Sequence, residues 1–171
     1  LSCRGAIYRA PLFRGTPVAI SPVVERIFED RMKRHYIFAS HGTLARGVLD
    51  SVELILGKQA DISTLCAYVE EQRDLTEQVT ELMQRIPDEE EVVVITDIFA
   101  GSVNNEFVRF LQRPRFHLVA GLNLPLVIDL LISSDEPDTG KLIEEALISS
   151  RESIQYCNYT ISSAMQADKD F

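Results

Sequence analysis

From residue 35 onward, short runs of β-branched and aromatic residues alternate with amphipathic segments of ten to fifteen residues. The short runs predict strands over 35–40, 62–68 (ISTLCAY), 91–97 (EVVVITD) and 116–121 (FHLVAG). The longer segments predict helices over 43–57, 74–86, 102–112, 125–133 and 139–150. Strands separated by helices pair in parallel, because parallel neighbours need a crossover, and that crossover is right-handed. Val92 to Ile95 is unbroken apolar sequence, as expected of a central strand covered on both faces. The expected architecture is therefore α/β, with three layers (α/β/α) around a four-stranded parallel sheet. SIQYCNYTI, 153–161, predicts one further strand, at the sheet edge or lent to a neighbouring subunit in a dimer.

Composition adds bounds. A chain of 171 residues, 46% hydrophobic and 25% charged, is ordinary for a globular protein of one domain. It contains neither an apolar run long enough to span a membrane nor a charged and apolar secretion signal, so a cytoplasmic location is expected. Cys3, Cys66 and Cys157 are odd in number and irregularly spaced, which suggests neither a disulfide framework nor a zinc motif. A net charge of −9 argues against nucleic acid as the main partner. The first 31 residues read differently from the rest, with five arginines against three acids and three of the seven prolines. Because Met32 is followed directly by Lys33-Arg34 and then the first strand, we expect residues 32–171 to be the domain. Residues 1–31 are then an upstream leader translated from a misplaced start, or else a small helical extension opening at Ser21-Pro22.

In open parallel sheets ligands bind beyond the carboxyl ends of the strands. Those ends carry Ser40-His41-Gly42, then Asp97 to Ser102, then Gly121-Leu122-Asn123-Leu124-Pro125. A carboxylate at Asp97 can accept from the Nδ1–H of His41, fix its tautomer and leave the Nε2 lone pair facing solvent. Gly42 permits close approach, and Gly101-Ser102 opens a helix with free N–H groups and a hydroxyl, a setting that suits an anion such as phosphate. Plainer roles stand beside these. His41 could merely close a turn, Asp97 could cap a helix, and Ser102 is expected to be an N-cap whatever else it does. His35 and His117 lie away from the rim and read as structural. The chain has no metal-ligand spacing and no nucleotide-binding glycine motif. His41, Asp97 and Ser102 also have the composition of a hydrolase triad. However, Asp97 and Ser102 share one short loop, and the G-x-S-x-G elbow is absent.

Three segments carry a family resemblance. ASHGTLARGVLDSVELILG (39–57) resembles the strand, phosphorylated His-Gly and first helix of the IIA domain in the mannose, fructose and sorbose branch of the bacterial phosphoenolpyruvate-dependent sugar phosphotransferase system (PTS). VVITDIFAGSVNNE (93–106) resembles that family's Asp-x-x-Gly-Gly-Ser-Pro loop, and VAGLNLPLVIDLL (119–131) its Gly-x-Asn-x-Pro segment. Two positions depart from the pattern: Ala100 stands for the first Gly and Val103 for the Pro. Ala permits the same close approach provided its φ is not positive.

The resemblance implies a phosphotransferase without a cofactor or metal. His41 would accept a phosphoryl group on Nε2 from phospho-HPr and pass it to a histidine of the IIB component. Asp97 would orient His41, while Gly42, Gly101 and Ser102 would line the phosphoryl site, with Thr43, Phe99, Asn123 and Pro125 on the partner-facing rim. It also implies a homodimer with an exchanged C-terminal strand and an indirect link, at the inner face of the membrane, to the IIC/IID permease. Two rivals share the fold: a regulatory domain phosphorylated as a signal, and the phosphocarrier subunit of dihydroxyacetone kinase. The latter is expected to carry a His-Ser pair and an Asp-Met-Gly-Ser loop rather than His41-Gly42 and this GLNLP segment (121–125).

Overall fold

The computed structural model describes residues 33–69 and 73–167; the expectations for residues 1–31 lie outside the described residues. Its elements run β1 (Arg34–His41), α1 (Leu44–Leu56), β2 (Ile62–Ala67), α2 (Leu75–Gln84), β3 (Glu91–Thr96), α3 (Ser102–Val108), β4 (Phe116–Ala120), α4 (Leu124–Ile132), α5 (Thr139–Glu152) and α6 (Cys157–Ala167). The four strands form one parallel sheet in the order β2-β1-β3-β4. The α/β expectation holds, and each expected strand and helix through α5 falls on an observed one.

Side chains along β1 alternate between the two faces of the sheet, as the pleat requires. Tyr36 and Phe38 join Val93, Ile95 and Val119 beneath α1, α4 and α5, where Val52, Leu126, Leu130 and Leu142 are buried. Ile37 and Ala39 join Val92, Val94 and Phe116 on the other face, beneath Val79 and Met83 of α2 and Val103 and Phe107 of α3. Two cores sharing one sheet make the three layers. A buried guanidinium closes the amino end of the sheet: Arg34 donates to Thr139 Oγ1 (2.7 Å) and to the carbonyls of Ser134 and Glu136. This ties β1 to the turn that precedes α5.

One expected element differs. Residues 153–161 form no strand in this chain; Cys157–Ala167 is helical. Ile154, Tyr156 and Ile161 are exposed, and among the described residues the segment pairs with no strand of the sheet. Local i→i−4 bonds such as Thr160 N–H to Tyr156 O satisfy it instead.

The order β2-β1-β3 sends the chain leaving β1 to one side of the sheet and the chain leaving β3 to the other. The two carboxyl ends therefore flank a topological switch point.

Candidate functional site

β1 ends in His41, whose Cα is in register with Ala67, the last residue of β2. On its other side β1 pairs with β3, and the Asp97 N–H donates to Ala39 O at 3.1 Å, one step past the end of β3. Three strand ends thus deliver His41, Asp97 and Tyr68 to one place. Immediately after His41 the chain turns at Gly42, whose φ of +56° lies in the left-handed region open to glycine at little cost. A Cβ there would meet no atom of the chain within 4 Å, so the space in front of it is open.

Asp97 Oδ2 accepts from both the His41 backbone N–H and His41 Nδ1, each at 2.8 Å, while Oδ1 accepts from the Ile98 N–H at 2.9 Å. Partial burial pushes the Asp97 carboxyl up. The bonds from the His41 ring and backbone, with the Ile98 amide, outweigh that and hold it below the usual carboxylate value. An ionised carboxylate only accepts, so the proton between it and Nδ1 resides on the ring, and in the neutral imidazole Nε2 then keeps its lone pair. Nε2 lies 3.0 Å from Ser102 Oγ. The His41 side chain is 41% exposed and that of Asp97 13%: the carboxylate is sheltered and the imidazole faces outward.

The loop from Asp97 to Ser102 is held by its own residues. Ala100 has φ +58°, a left-handed conformation that an L side chain adopts at a cost. The condition under which Ala would substitute freely for Gly is therefore not met, and the loop carries strain here. Two asparagines stabilise that conformation. Asn104 Oδ1 accepts from the Ala100 N–H (3.1 Å), and its Nδ2 donates to Thr96 Oγ1 (3.0 Å), while Asn105 Nδ2 donates to Ala100 O (3.2 Å). Gly101 is needed for space: a Cβ there would sit 2.5 Å from Ile98 Cγ2 and 3.3 Å from His41 Cε1.

The candidate residues divide into two groups. His41, Asp97, Gly42, Gly101 and Ser102 converge. Ser102 is not the N-cap, a position that Gly101 occupies without a side-chain bond; the Ser102 hydroxyl is turned to Nε2 instead. Thr43 is exposed at the N-cap of α1 but makes no side-chain cap, because Ser40 Oγ accepts from the Ala45 N–H at 2.7 Å in its stead. Asn123 caps α4 through the Leu126 N–H and donates to Gly121 O, and Pro125 sits in the first turn of that helix, so both shape the rim without contacting His41. Phe99 is 82% exposed beside Ile98, an apolar projection on the loop that carries Asp97. His35 and His117 bond Ser63 Oγ and Glu91 Oε1 within the sheet, away from the site. Sequence reasoning missed Ser40, Asn104, Asn105 and Tyr68. Only Ser40, one residue before the histidine at a strand-to-helix turn, carried a signal that could have found it.

A family model described as PTS system fructose IIA component matches residues 35–147, two thirds of the chain and all three strand-end segments. The chain belongs to this EIIA family. As an EIIA chain it is a phosphoryl carrier of a sugar phosphotransferase system. Among known relatives, the fructose-specific EIIA component of Bacillus subtilis is 25% identical over 136 residues, 78% of this chain and 93% of that protein. The sorbose-specific EIIA component of Klebsiella pneumoniae is 34% identical over 100 residues, 57% of this chain and 72% of that one. A solved Klebsiella pneumoniae chain, described as a candidate phosphoenolpyruvate-dependent sugar PTS permease, is 72% identical with a TM-score of 0.75, covering 76% of this chain and 95% of that one. No helix of this EIIA chain, among the described residues, is long and apolar enough to cross a membrane.

Proposed function

We propose that His41 is the phosphoryl-accepting residue of this EIIA chain. The observation that carries the reading is one hydrogen-bond arrangement: Asp97 holds Nδ1, and Nε2 faces the exposed rim. The Nε2 lone pair attacks the phosphorus of a phosphohistidine on HPr. The donor's N–P bond breaks with its electron pair left on the donor nitrogen, and a new N–P bond forms at Nε2. Return attack by a histidine of the IIB component passes the group on. No proton leaves Nε2 in either step, because the tautomer set by Asp97 has none there. Catalysis then consists of positioning and of charge stabilisation on the phosphoryl oxygens. Ser102 Oγ, 3.0 Å from Nε2, lies close enough for that purpose, while Gly42 and Gly101 leave room for the group, their own N–H groups donating to Ala67 O and Ile98 O.

The apolar projections Phe99, Ile98 and Leu44 around an exposed imidazole suit two partners that dock in turn on one shallow face. We read the chain as a homodimer in which the exposed segment at Ile154 and Tyr156 finds its strand partner across the interface, working at the inner membrane face beside a IIC/IID permease. Light scattering in solution tests the dimer.

The radiolabel experiment tests the central claim. With phosphoenolpyruvate, enzyme I and HPr, the wild-type chain should take up acid-labile label and His41→Ala none; equal labelling of the two overturns the reading. Addition of a IIB component should then discharge the label, whereas a purely regulatory domain would keep it. A second reading has one observation in its favour, since Asp97, His41 and Ser102 do stand in the order of a hydrolase triad. A fluorophosphonate probe that labelled Ser102 would support it. The position of Ser102 in the first turn of α3, with no strained elbow to present it, favours phosphoryl transfer.

A further inference from the structure

Tyr68 stands one residue beyond β2 with φ +63°, a backbone conformation costly for an aromatic residue. That turn lays its ring against the imidazole of His41, with ring centroids 5.6 Å apart and planes inclined by 26°. It also brings the phenol oxygen to 2.9 Å from Ser102 Oγ. The directions of the bonds in this cluster follow from Asp97. The carboxylate accepts from Nδ1–H, so Nε2 of the neutral ring can only accept. Ser102 O–H must then donate to Nε2, which leaves Ser102 Oγ as an acceptor for Tyr68 O–H. The result is a one-way chain from Tyr68 through Ser102 to the reactive lone pair.

We propose that Tyr68 is a positioning residue for phosphoryl transfer, acting through Ser102; this rests on the assignment of His41 as the acceptor. Each bond in a directed chain polarises the next, so Tyr68 makes Ser102 a stronger donor than an isolated serine. Once phosphorus occupies Nε2, the lone pair is consumed and the Ser102 proton has to turn to a phosphoryl oxygen. Tyr68 still donates to Ser102 Oγ in that state, holding the serine in place and strengthening its bond to the anion. As a phosphoryl group detaches, negative charge drains from its peripheral oxygens. A stronger donor to those oxygens therefore slows loss to water and keeps the group available for a docked partner.

Tyr68→Phe removes the hydroxyl and keeps the ring over His41; Tyr68→Leu removes both. The expected result is that Tyr68→Phe shortens the lifetime of the phosphorylated protein and slows uptake from phospho-HPr, each by about threefold to tenfold, the size of one lost hydrogen bond. In the unphosphorylated protein, the imidazole Nε2 nitrogen resonance of Tyr68→Phe should move toward that of a nitrogen accepting no bond, with Nδ1 still protonated. A merely structural tyrosine would move neither. The proposal is overturned if Tyr68→Phe matches wild type in lifetime and uptake while Tyr68→Leu alone is impaired, since the ring would then suffice. If wild type takes no label at His41, the carrier assignment itself has failed and Tyr68 falls with it. The two failures are therefore read from different proteins.

Discussion

Asp97 Oδ2 receives both N–H groups of one residue, the backbone amide and Nδ1 of His41, each at 2.8 Å. The first bond fixes where β1 ends relative to β3; the second fixes the rotation and tautomer of the ring. A single oxygen thus couples strand position to the tautomer of the imidazole. Asp97→Asn separates these effects, because an amide can donate to Nδ1 and move the ring proton to Nε2, where it blocks attack. The expected outcome is a fall in the rate of phosphoryl uptake of about 10² to 10⁴-fold with the fold intact. A rate within threefold of wild type, measured by rapid quench with labelled phospho-HPr, would refute this role.

The same carboxylate links stability to acid. Its folded-state pKa lies below the ordinary value of 3.8, so it contributes stability that is present above that value and is lost as pH falls through the lower, folded one. Urea midpoints between pH 6 and pH 2.5 should therefore drop in wild type, and less steeply in Asp97→Asn. Parallel curves for the two proteins would show that the Asp97 bonds do not contribute in this way.

Ala100 offers a stabilising change. At φ +58° its Cβ costs about 1 kcal/mol that glycine avoids, partly offset by the greater freedom of glycine in the unfolded chain. Ala100→Gly should raise stability by about 0.5 kcal/mol in urea unfolding and leave the imidazole tautomer unchanged. A loss of stability would mean that the asparagine bonds already remove the strain.

Most of the fold, and half of the site, could be read from the sequence, and the division has physical causes. Hydrophobic period distinguishes strand from helix because each element buries a face, so β1 to β4 and α1 to α5 were readable. The pair His41 and Asp97 was readable because both end strands at a switch point. Residues 153–161 were not, since their alternating pattern describes a strand, whereas from Cys157 onward the backbone is satisfied by local helical bonds. Tyr68, Asn104 and Asn105 were equally hidden. Their roles depend on backbone turns at Tyr68 and Ala100 that place non-glycine residues at positive φ, against local preference.

Asn104 is buried and bridges Ala100 N–H and Thr96 Oγ1. Asn104→Ala strands the Ala100 backbone donor and removes the bond that Thr96 Oγ1 accepts, although that hydroxyl still donates to Val119 O, and the expected cost is about 2 kcal/mol in urea unfolding. Because the bridge supports the loop that carries Gly101 and Ser102, phosphoryl uptake should also fall, with a weaker effect in Asn105→Ala, whose amide contacts only the more exposed Ala100 carbonyl. Equal effects from the two substitutions would contradict the distinction drawn from burial.

His35 provides a pH test remote from the reaction. Burial between the strands lowers its pKa from 6.5, and attraction from Glu90 and Asp61 only partly opposes this. Its neutral ring is held by Ser63 Oγ at 2.9 Å. A folded pKa below the unfolded one means that the unfolded chain takes up the proton first. Stability is therefore fully present above pH 6.5 and declines as pH falls toward the folded value, at no more than about 1.4 kcal/mol per pH unit for one proton. His35→Gln keeps a partner for Ser63 and removes the titration. The difference in unfolding free energy between wild type and His35→Gln should accordingly shift in favour of the variant between pH 7.5 and pH 5. A difference independent of pH over that range would show that His35 titrates alike in both states.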